Sequence, residues 1–333
     1  MDRIPLVRVS AFVPFLNVLG QIGMPIERRL HESHIPSDLL DDPESLLPLI
    51  HLFTFLDRSA AAEGLADLGL RAASQSHVSG LGLFGRILMQ SASLNIALEK
   101  ACRLIPLYNS GQRIWVDNWR GKARICHRLP SESGAGRKFG NQFTMLMIID
   151  LMRQATDPQW RPDEIHLERG VDDPAIHESL GVRLRETEVA AIICDPLLLG
   201  HPMRPGGHNG NNRDDVMSLA AGAPPDNFVD SIRQVIGTYM RNDMAGIDHV
   251  AAVIGLGSRT LQRRLQKRGL DYSEMVAEAR LAMARKLLCD RNIAVIEIAQ
   301  ELGYSDAANF TRAFRRWTGL APSTYRAGLS GER

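Results

Sequence analysis

Two stretches near the C-terminal end alternate apolar anchors with side chains suited to nucleic-acid recognition: SRTLQRRLQKRG (258–269) and SDAANFTRAFRRWTG (305–319). At helical spacing, Leu261 and Leu265 turn inward and leave Arg259, Gln262, Arg263 and Gln266 on the opposite side. Phe310, Phe314 and Trp317 do the same in the second stretch and leave Asp306, Asn309, Arg312 and Arg316 outward. An arginine fork pairs with the O6 and N7 of guanine, and Asn or Gln pairs with the N6 and N7 of adenine. Arg263, Arg264, Lys267, Arg268, Arg315 and Arg316 can neutralise phosphates. This is recognition chemistry, and no bond need form or break.

The elements that must hold these residues form an internal repeat. Ala251-x-x-x-Gly255 recurs as Ala299-x-x-x-Gly303, and Leu261, Arg263 and Leu265 recur as Phe310, Arg312 and Phe314. Each copy reads as helix, glycine turn and second helix, over about 246–268 and 293–317. The small alanine lets the second helix cross closely, and the glycine takes a left-handed conformation that a side chain would penalise. Ser258 or Gly257, and Ser305, are the expected N-caps. Between the copies, SEMVAEARLAMARKLLC (273–289) lacks Pro and Gly and predicts one rigid helix. Its length of about 25 Å suits two reading helices placed roughly one DNA turn apart.

Charge is divided unevenly. The 333 residues carry 39 Lys and Arg against 38 Asp and Glu, a net +1. Residues 226–333 hold 16 basic and 12 acidic residues, whereas 1–225 hold 23 and 26. A near-neutral total therefore does not exclude a nucleic-acid partner. The cysteines at 102, 126, 194 and 289 lack zinc spacing, and isolated thiols fit a reducing cytoplasm. No apolar run is long enough for a membrane span, and the start lacks a signal-peptide layout, so a cytoplasmic protein with no membrane partner is expected.

The first two-thirds reads as an α+β domain, a small sheet packed on helices. Residues 6–105 follow helical spacing, 112–129 read as two strands about Asn118–Gly121, and Phe139–Ala155 reads as a buried helix. A strand over 164–170 and a helix with one or two strands over 174–195 complete it. The C-terminal part is all-α, two helix-turn-helix units joined by a long helix. The expected domains are 1–205 for effector binding or dimerisation, 206–225 as a Gly- and Asn-rich linker, and 226–333 for DNA binding.

Several motifs invite a functional reading. Gly80-Leu81-Gly82-Leu83-Phe84-Gly85 fits GxGxxG, but no strand precedes it, so a loop starting a helix is expected and no cofactor. Arg120, Arg124 and Arg128 could hold a phosphate, or they could be solvated arginines on one strand face. Tyr108, Trp115, Trp119, Arg124, His127 and Phe143 are candidates for an effector pocket, with ordinary core packing as the alternative for the aromatics. His31, His34, His201 and His208 lack metal-ligand spacing, and no hydrolase, metalloprotease or Walker sequence is present.

The chain resembles the AraC/XylS family of bacterial transcription regulators. The resemblance rests on Leu261-Gln262-Arg263, Arg280-Leu281-Ala282-Met283-Ala284-Arg285, Ile298-Ala299-x-x-x-Gly303-Tyr304, Asn309-Phe310-x-Arg312-Ala313-Phe314-Arg315-Arg316 and Gly319-x-x-Pro322-x-x-Tyr325-Arg326. Residues 12–200 are similar to the arabinose-binding-like effector domain of one subfamily. The similarity lies at Gly80–Gly85, Leu94-x-x-Ala97-Leu98, Trp160-Arg161-Pro162 and Cys194-Asp195-Pro196-Leu197-Leu198. The resemblance implies base contacts from Arg259, Gln262 and Arg263 and, in the second unit, from positions 307, 308 and 312. Ala307 and Ala308 depart from the longer polar residues of many members, so Arg312 is the main expected contact there, with Asn309 and Arg316 holding the backbone. It also implies double-stranded promoter DNA, a small-molecule effector, RNA polymerase and a second copy of the chain as partners. Two alternatives stand beside this: a constitutive regulator whose N-terminal domain only dimerises, and an enzyme domain fused to a DNA-binding module.

Overall fold

A computed structural model describes residues 3–130, 134–168, 174–204, 212–240 and 244–328. The chain divides into two compact units, one from Ile4 to Asp226 and one from Asn227 onward.

In the first unit, strand β1 (Leu6–Arg8) is followed by helices α1 (Val13–Gln21) and α2 (Ile26–Glu32), strand β2 (Leu46–Pro48), and helices α3 (Leu49–Glu63), α4 (Leu68–Ser74), α5 (Gly82–Met89) and α6 (Leu94–Tyr108). The helical spacing expected over 6–105 is thus interrupted by two strands that pair antiparallel, Leu6 with Pro48 and Arg8 with Leu46. Three residues are too few for a period-two signal, and both strands are buried throughout.

Then come β3 (Arg113–Trp119), β4 (Lys122–Arg128), α7 (Arg137–Ala155), β5 (Glu164–Glu168), α8 (Pro174–Leu180), β6 (Arg183–Thr187), β7 (Ala190–Cys194) and α9 (Asn212–Ala221). The five strands form one sheet in the order β3-β4-β7-β5-β6, parallel only between β5 and β6. The β3–β4 turn has two left-handed residues, Arg120 at φ 53° and Gly121 at φ 80°. That is the type I′ geometry matched to strand twist. The Asn118 carboxamide oxygen accepts from the Gly121 N–H at 3.1 Å and closes it.

The expected linker over 206–225 is only partly without regular structure. Residues 212–221 form α9, which packs on α5 and α6 within the first unit. Polar contacts hold it. Arg86 reaches Asp215 at 3.2 Å, and the buried Arg8 donates to the carbonyls of Leu219 and Gly222 at 2.7 and 2.8 Å. Weak apolar periodicity concealed a helix that buries Leu219 and is otherwise held by these polar contacts. Residues 205–211, and His208 with them, lie outside the described residues.

The second unit comprises α10 (Phe228–Tyr239), α11 (Ile247–Val253), α12 (Ser258–Gln266), α13 (Tyr272–Leu288), α14 (Val295–Glu301), α15 (Ala307–Thr318) and α16 (Pro322–Gly328). Both repeats close their first helix alike. Gly255 and Gly303 sit at φ 74° and 76°. The next residue's N–H bonds back across the turn, Leu256 to Ala251 at 2.8 Å and Tyr304 to Ala299 at 2.9 Å. Ala251 and Ala299 are fully buried. Gly303→Ala should therefore cost about 1–2 kcal/mol, read as a lower urea midpoint. An unchanged midpoint would contradict the left-handed assignment.

Candidate nucleic-acid interface and effector cavity

Helix α13 is the frame of the second unit. Asp271 caps it by accepting from the N–H groups of Ser273 and Glu274 at 2.8 and 3.3 Å. Near its start the Tyr272 hydroxyl donates to the Ala245 carbonyl at 3.0 Å, ahead of α11. Farther along, the Arg280 guanidinium lies 5.4 Å from the centre of the Tyr304 ring, at the turn of the second repeat. One helix thus ties both repeats together.

On α12, Leu261 and Leu265 are buried, and Arg259, Gln262, Arg263 and Lys267 are exposed. Gly257 is the N-cap, and Ser258 instead donates its hydroxyl to Asp248. Arg264 departs from the expectation of a free phosphate contact. It is half-buried with its guanidinium 5.7 Å from the Phe228 ring, and Arg268 lies 5.1 Å from the same ring. Arg264 follows Leu261 by three residues, which places it on the buried flank of the helix.

On α15, Phe310 and Phe314 are fully buried and form an aromatic cluster with Tyr304 and Tyr325. Trp317 is half-buried. Arg312, Arg315 and Arg316 are exposed. Asp306, not Ser305, is the N-cap, accepting from the Asn309 N–H at 2.7 Å. That bond holds its carboxyl below the usual carboxylate range. The Asn309 amide donates to Ser305 and Asp306 at 2.9 and 2.7 Å and accepts from Arg312. Asn309 and Arg312 are therefore linked on the exposed side of the helix.

The first unit contains an apolar cavity. Its wall is built by α1, α3, α5, α6, α7, β1 and β3, with Leu52, Phe84, Ala101, Ile114 and Met147 among its residues. Of the candidate effector residues, Tyr108 and Phe143 line it. Trp115 and Arg124 do not. The strand register sets both on the sheet face opposite Ile114, where Trp115 packs on Cys126, Val189 and Ala191. Arg124 is paired with Asp117 at 2.6 Å and stacked 4.9 Å from Trp119. Its guanidinium holds the Asp117 carboxyl below the ordinary range.

Of Arg120, Arg124 and Arg128, the first two meet at the Trp119 ring and the third lies apart from them over Trp115. Arg120 belongs to the turn and lies over Trp119, and Arg128 lies over Trp115. Cation–π contacts engage all three guanidinium groups, and Arg124 is also paired with Asp117.

His127 is buried beside the cavity without lining it, and neither ring nitrogen has a hydrogen-bond partner among the described residues. Burial, helped by the Arg137 charge, pushes its pKa down to about 4. The unfolded chain then binds more protons than the folded one between about pH 6.5 and 4, so stability falls as the solution is acidified through that window. His127→Leu should flatten the fall, worth roughly 3 kcal/mol in full. Urea midpoints at pH 7.5 and 5 measure it, and an equal acid loss in the variant would refute the assignment.

Gly80 ends a short 3-10 turn and Gly82–Gly85 form the first turn of α5, so the stretch is a helix entry, as its sequence context predicted. Glu44 caps the helix start, accepting from the Leu83 N–H at 2.7 Å. A Cβ at Gly85 would stand 1.8 Å from the Val78 carbonyl oxygen, so close packing is what requires this glycine. His31, His34 and His201 are exposed, and the described residues contain no cluster of three or more metal-ligating side chains.

Two helix-turn-helix units on a shared helix, preceded by an α+β domain around an apolar cavity, define a two-domain DNA-binding regulator of transcription. The chain belongs to the AraC family. Residues 23–203 match the model of the arabinose-binding domain of AraC transcription regulators, and residues 250–328 match a helix-turn-helix domain. The transcriptional regulator VirS of Mycobacterium tuberculosis is 25% identical over 99% of this chain and all of its own length. The ornithine utilization regulator of Pseudomonas aeruginosa is 22% identical over 96% of each chain. Among solved structures, the regulator CdpR of P. aeruginosa covers 84% of this chain and 96% of its own, at 21% identity and a TM-score of 0.37.

Proposed function

We propose that this regulator reads DNA with α12 and α15 and that a small molecule in the N-terminal cavity controls its binding. The observation that carries the DNA contacts is the exposure of Arg259, Gln262, Arg263 and Lys267 on one helix and of Arg312, Arg315 and Arg316 on its counterpart. Arg259 and Arg263 read base edges from α12, with Gln262 beside them, and Arg312 does so from α15. Lys267, Arg315 and Arg316 hold phosphates, and Asn309 orients Arg312. Arg264 steadies α12 against Phe228 rather than reading bases.

The control reading rests on contacts behind the cavity wall. Tyr108 lines the cavity and stacks 4.9 Å from Phe84. The adjacent Leu107 carbonyl accepts from Arg8, whose other N–H groups hold Glu44 and the end of α9. Helix α9 is the last element before the DNA-binding unit. A ligand that shifts the wall thereby biases the segment leading into that unit, provided it binds the two states with different affinity. The regulator works in the cytoplasm as a dimer that recruits RNA polymerase, and it catalyses no reaction. Among the described residues no helix is long and apolar enough to cross a membrane. The net charge of only +4 over 226–333 makes doubled contacts through dimerisation useful.

Fluorescence anisotropy of the full chain on the DNA upstream of its own gene tests this. Affinity should fall linearly with salt on logarithmic axes and exceed that for unrelated DNA by about 10³ or more. No binding at low salt would end the reading.

A further inference from the structure

We infer that the effector is an uncharged, largely apolar molecule carrying one hydrogen-bond acceptor, of the ketone or ester type, and is neither a sugar nor a carboxylate. The inference rests on the effector-control reading and specifies the ligand of that same cavity.

No Asp, Glu, Lys, Arg or His side chain lines the cavity. The nearby Arg8 is fully engaged. Its five N–H groups donate to the carbonyls of Leu107, Glu44, Leu219 and Gly222 and to the Glu44 carboxylate. A carboxylate in the cavity would lose its water and gain no counter-charge. A pentose, hydroxylated at nearly every carbon, would bury polar groups against Leu, Ile, Phe and Met. The Tyr108 hydroxyl accepts from Ser10 at 3.4 Å, which leaves its own hydrogen to donate to an acceptor.

Beside that hydroxyl, the wall offers one polar patch. Asn109, Gln112 and Thr144 form a chain whose direction the backbone fixes. The Gly111 N–H donates to Asn109 Oδ1 at 3.0 Å, so the Asn109 amide nitrogen must donate onward to Gln112 Oε1, at 3.4 Å. The Gln112 amide nitrogen in turn donates to Thr144 Oγ1 at 3.1 Å. Each oxygen already accepts one bond. One N–H on Asn109, one on Gln112 and the Thr144 hydroxyl hydrogen remain to donate. Asn109 and Gln112 are only 5% and 6% exposed, so water serves these donors poorly. A buried patch of unspent donors in an apolar wall selects an acceptor without charge.

The test uses the full chain and the neutral fluorophore N-phenyl-1-naphthylamine, which brightens in apolar surroundings. 2-Undecanone should displace it, with decanoate at pH 8 weaker by about tenfold or more and L-arabinose inactive. Thr144→Val, which keeps the shape and removes the hydroxyl, should weaken 2-undecanone by about threefold to tenfold more than it weakens the fluorophore. Displacement by arabinose, preference for decanoate, or no displacement by the ketone would each overturn the ligand class. A ketone affinity that falls no further than the fluorophore's in Thr144→Val would overturn the role of the patch. Anisotropy on the same samples separates this from the wider reading. If DNA affinity shifts with decanoate or arabinose but not with the ketone, effector control stands and the ligand class falls. If the ketone binds and DNA affinity does not move, effector control falls and the ligand class stands.

Discussion

Arg263→Ala lowers affinity for the operator by about 10- to 100-fold and relaxes the preference at one base position. The expectation follows from geometry. Arg263 lies opposite Leu261 and Leu265 and is exposed, and its side chain makes no hydrogen bond or ion pair among the described residues. Its guanidinium therefore approaches DNA without first giving up an internal contact. Alanine is the best helix former, so α12 stays intact and stability changes by no more than about 0.5 kcal/mol. Competition binding against a set of single-base operator variants measures the effect. Equal weakening on every sequence would instead make Arg263 a phosphate contact. Arg264→Ala is the internal contrast. It removes the guanidinium stacked on Phe228, so it should lower thermal stability and leave base preference alone.

The second large effect concerns stability. Arg8→Ala should cost the N-terminal unit about 3–5 kcal/mol, the range for removing one partner of a buried ion pair. Arg8 is 1% exposed, and alanine would leave four backbone carbonyls and the inner oxygen of Glu44 without their donor. The loss would also be local. Two of those carbonyls, Leu219 and Gly222, end α9, where a cation additionally favours the helix dipole. Hydrogen exchange should therefore speed up over 212–221 more than over α7. A melting temperature within about 2 °C of the parent would mean that the network contributes little.

The C-terminal unit was legible in the sequence because its physics is periodic and local. Leu261 with Leu265, and Phe310 with Phe314, mark one buried side each, and Gly255 and Gly303 end their helices in the left-handed conformation that the spacing implied. Finer detail depended on neighbours. Ser305 and Asp306 are both good caps, and only the fold shows that Asp306 takes the Asn309 N–H. The flank position of Arg264 was available from its i+3 spacing to Leu261, but Phe228 as its platform was not.

The N-terminal site was harder to read. Strand parity separates Trp115 and Arg124 from Ile114, yet parity alone does not say which face meets α7. The cavity wall draws on segments from Val7 to Leu151, a set that only tertiary folding assembles. Arg8 lies 36 residues from Glu44 and 211 from Leu219, and nothing near it in sequence announces a buried cation.

Hydroxyl-radical footprinting of the full chain on its operator tests the central claim most directly. Two reading helices held by α13 should protect two short patches on one face of the duplex, about one helical turn apart, for each bound copy. Arg263→Ala should fade one patch and Arg312→Ala the other. A single patch for each copy, or protection without sequence preference, would contradict a regulator that reads DNA with both units.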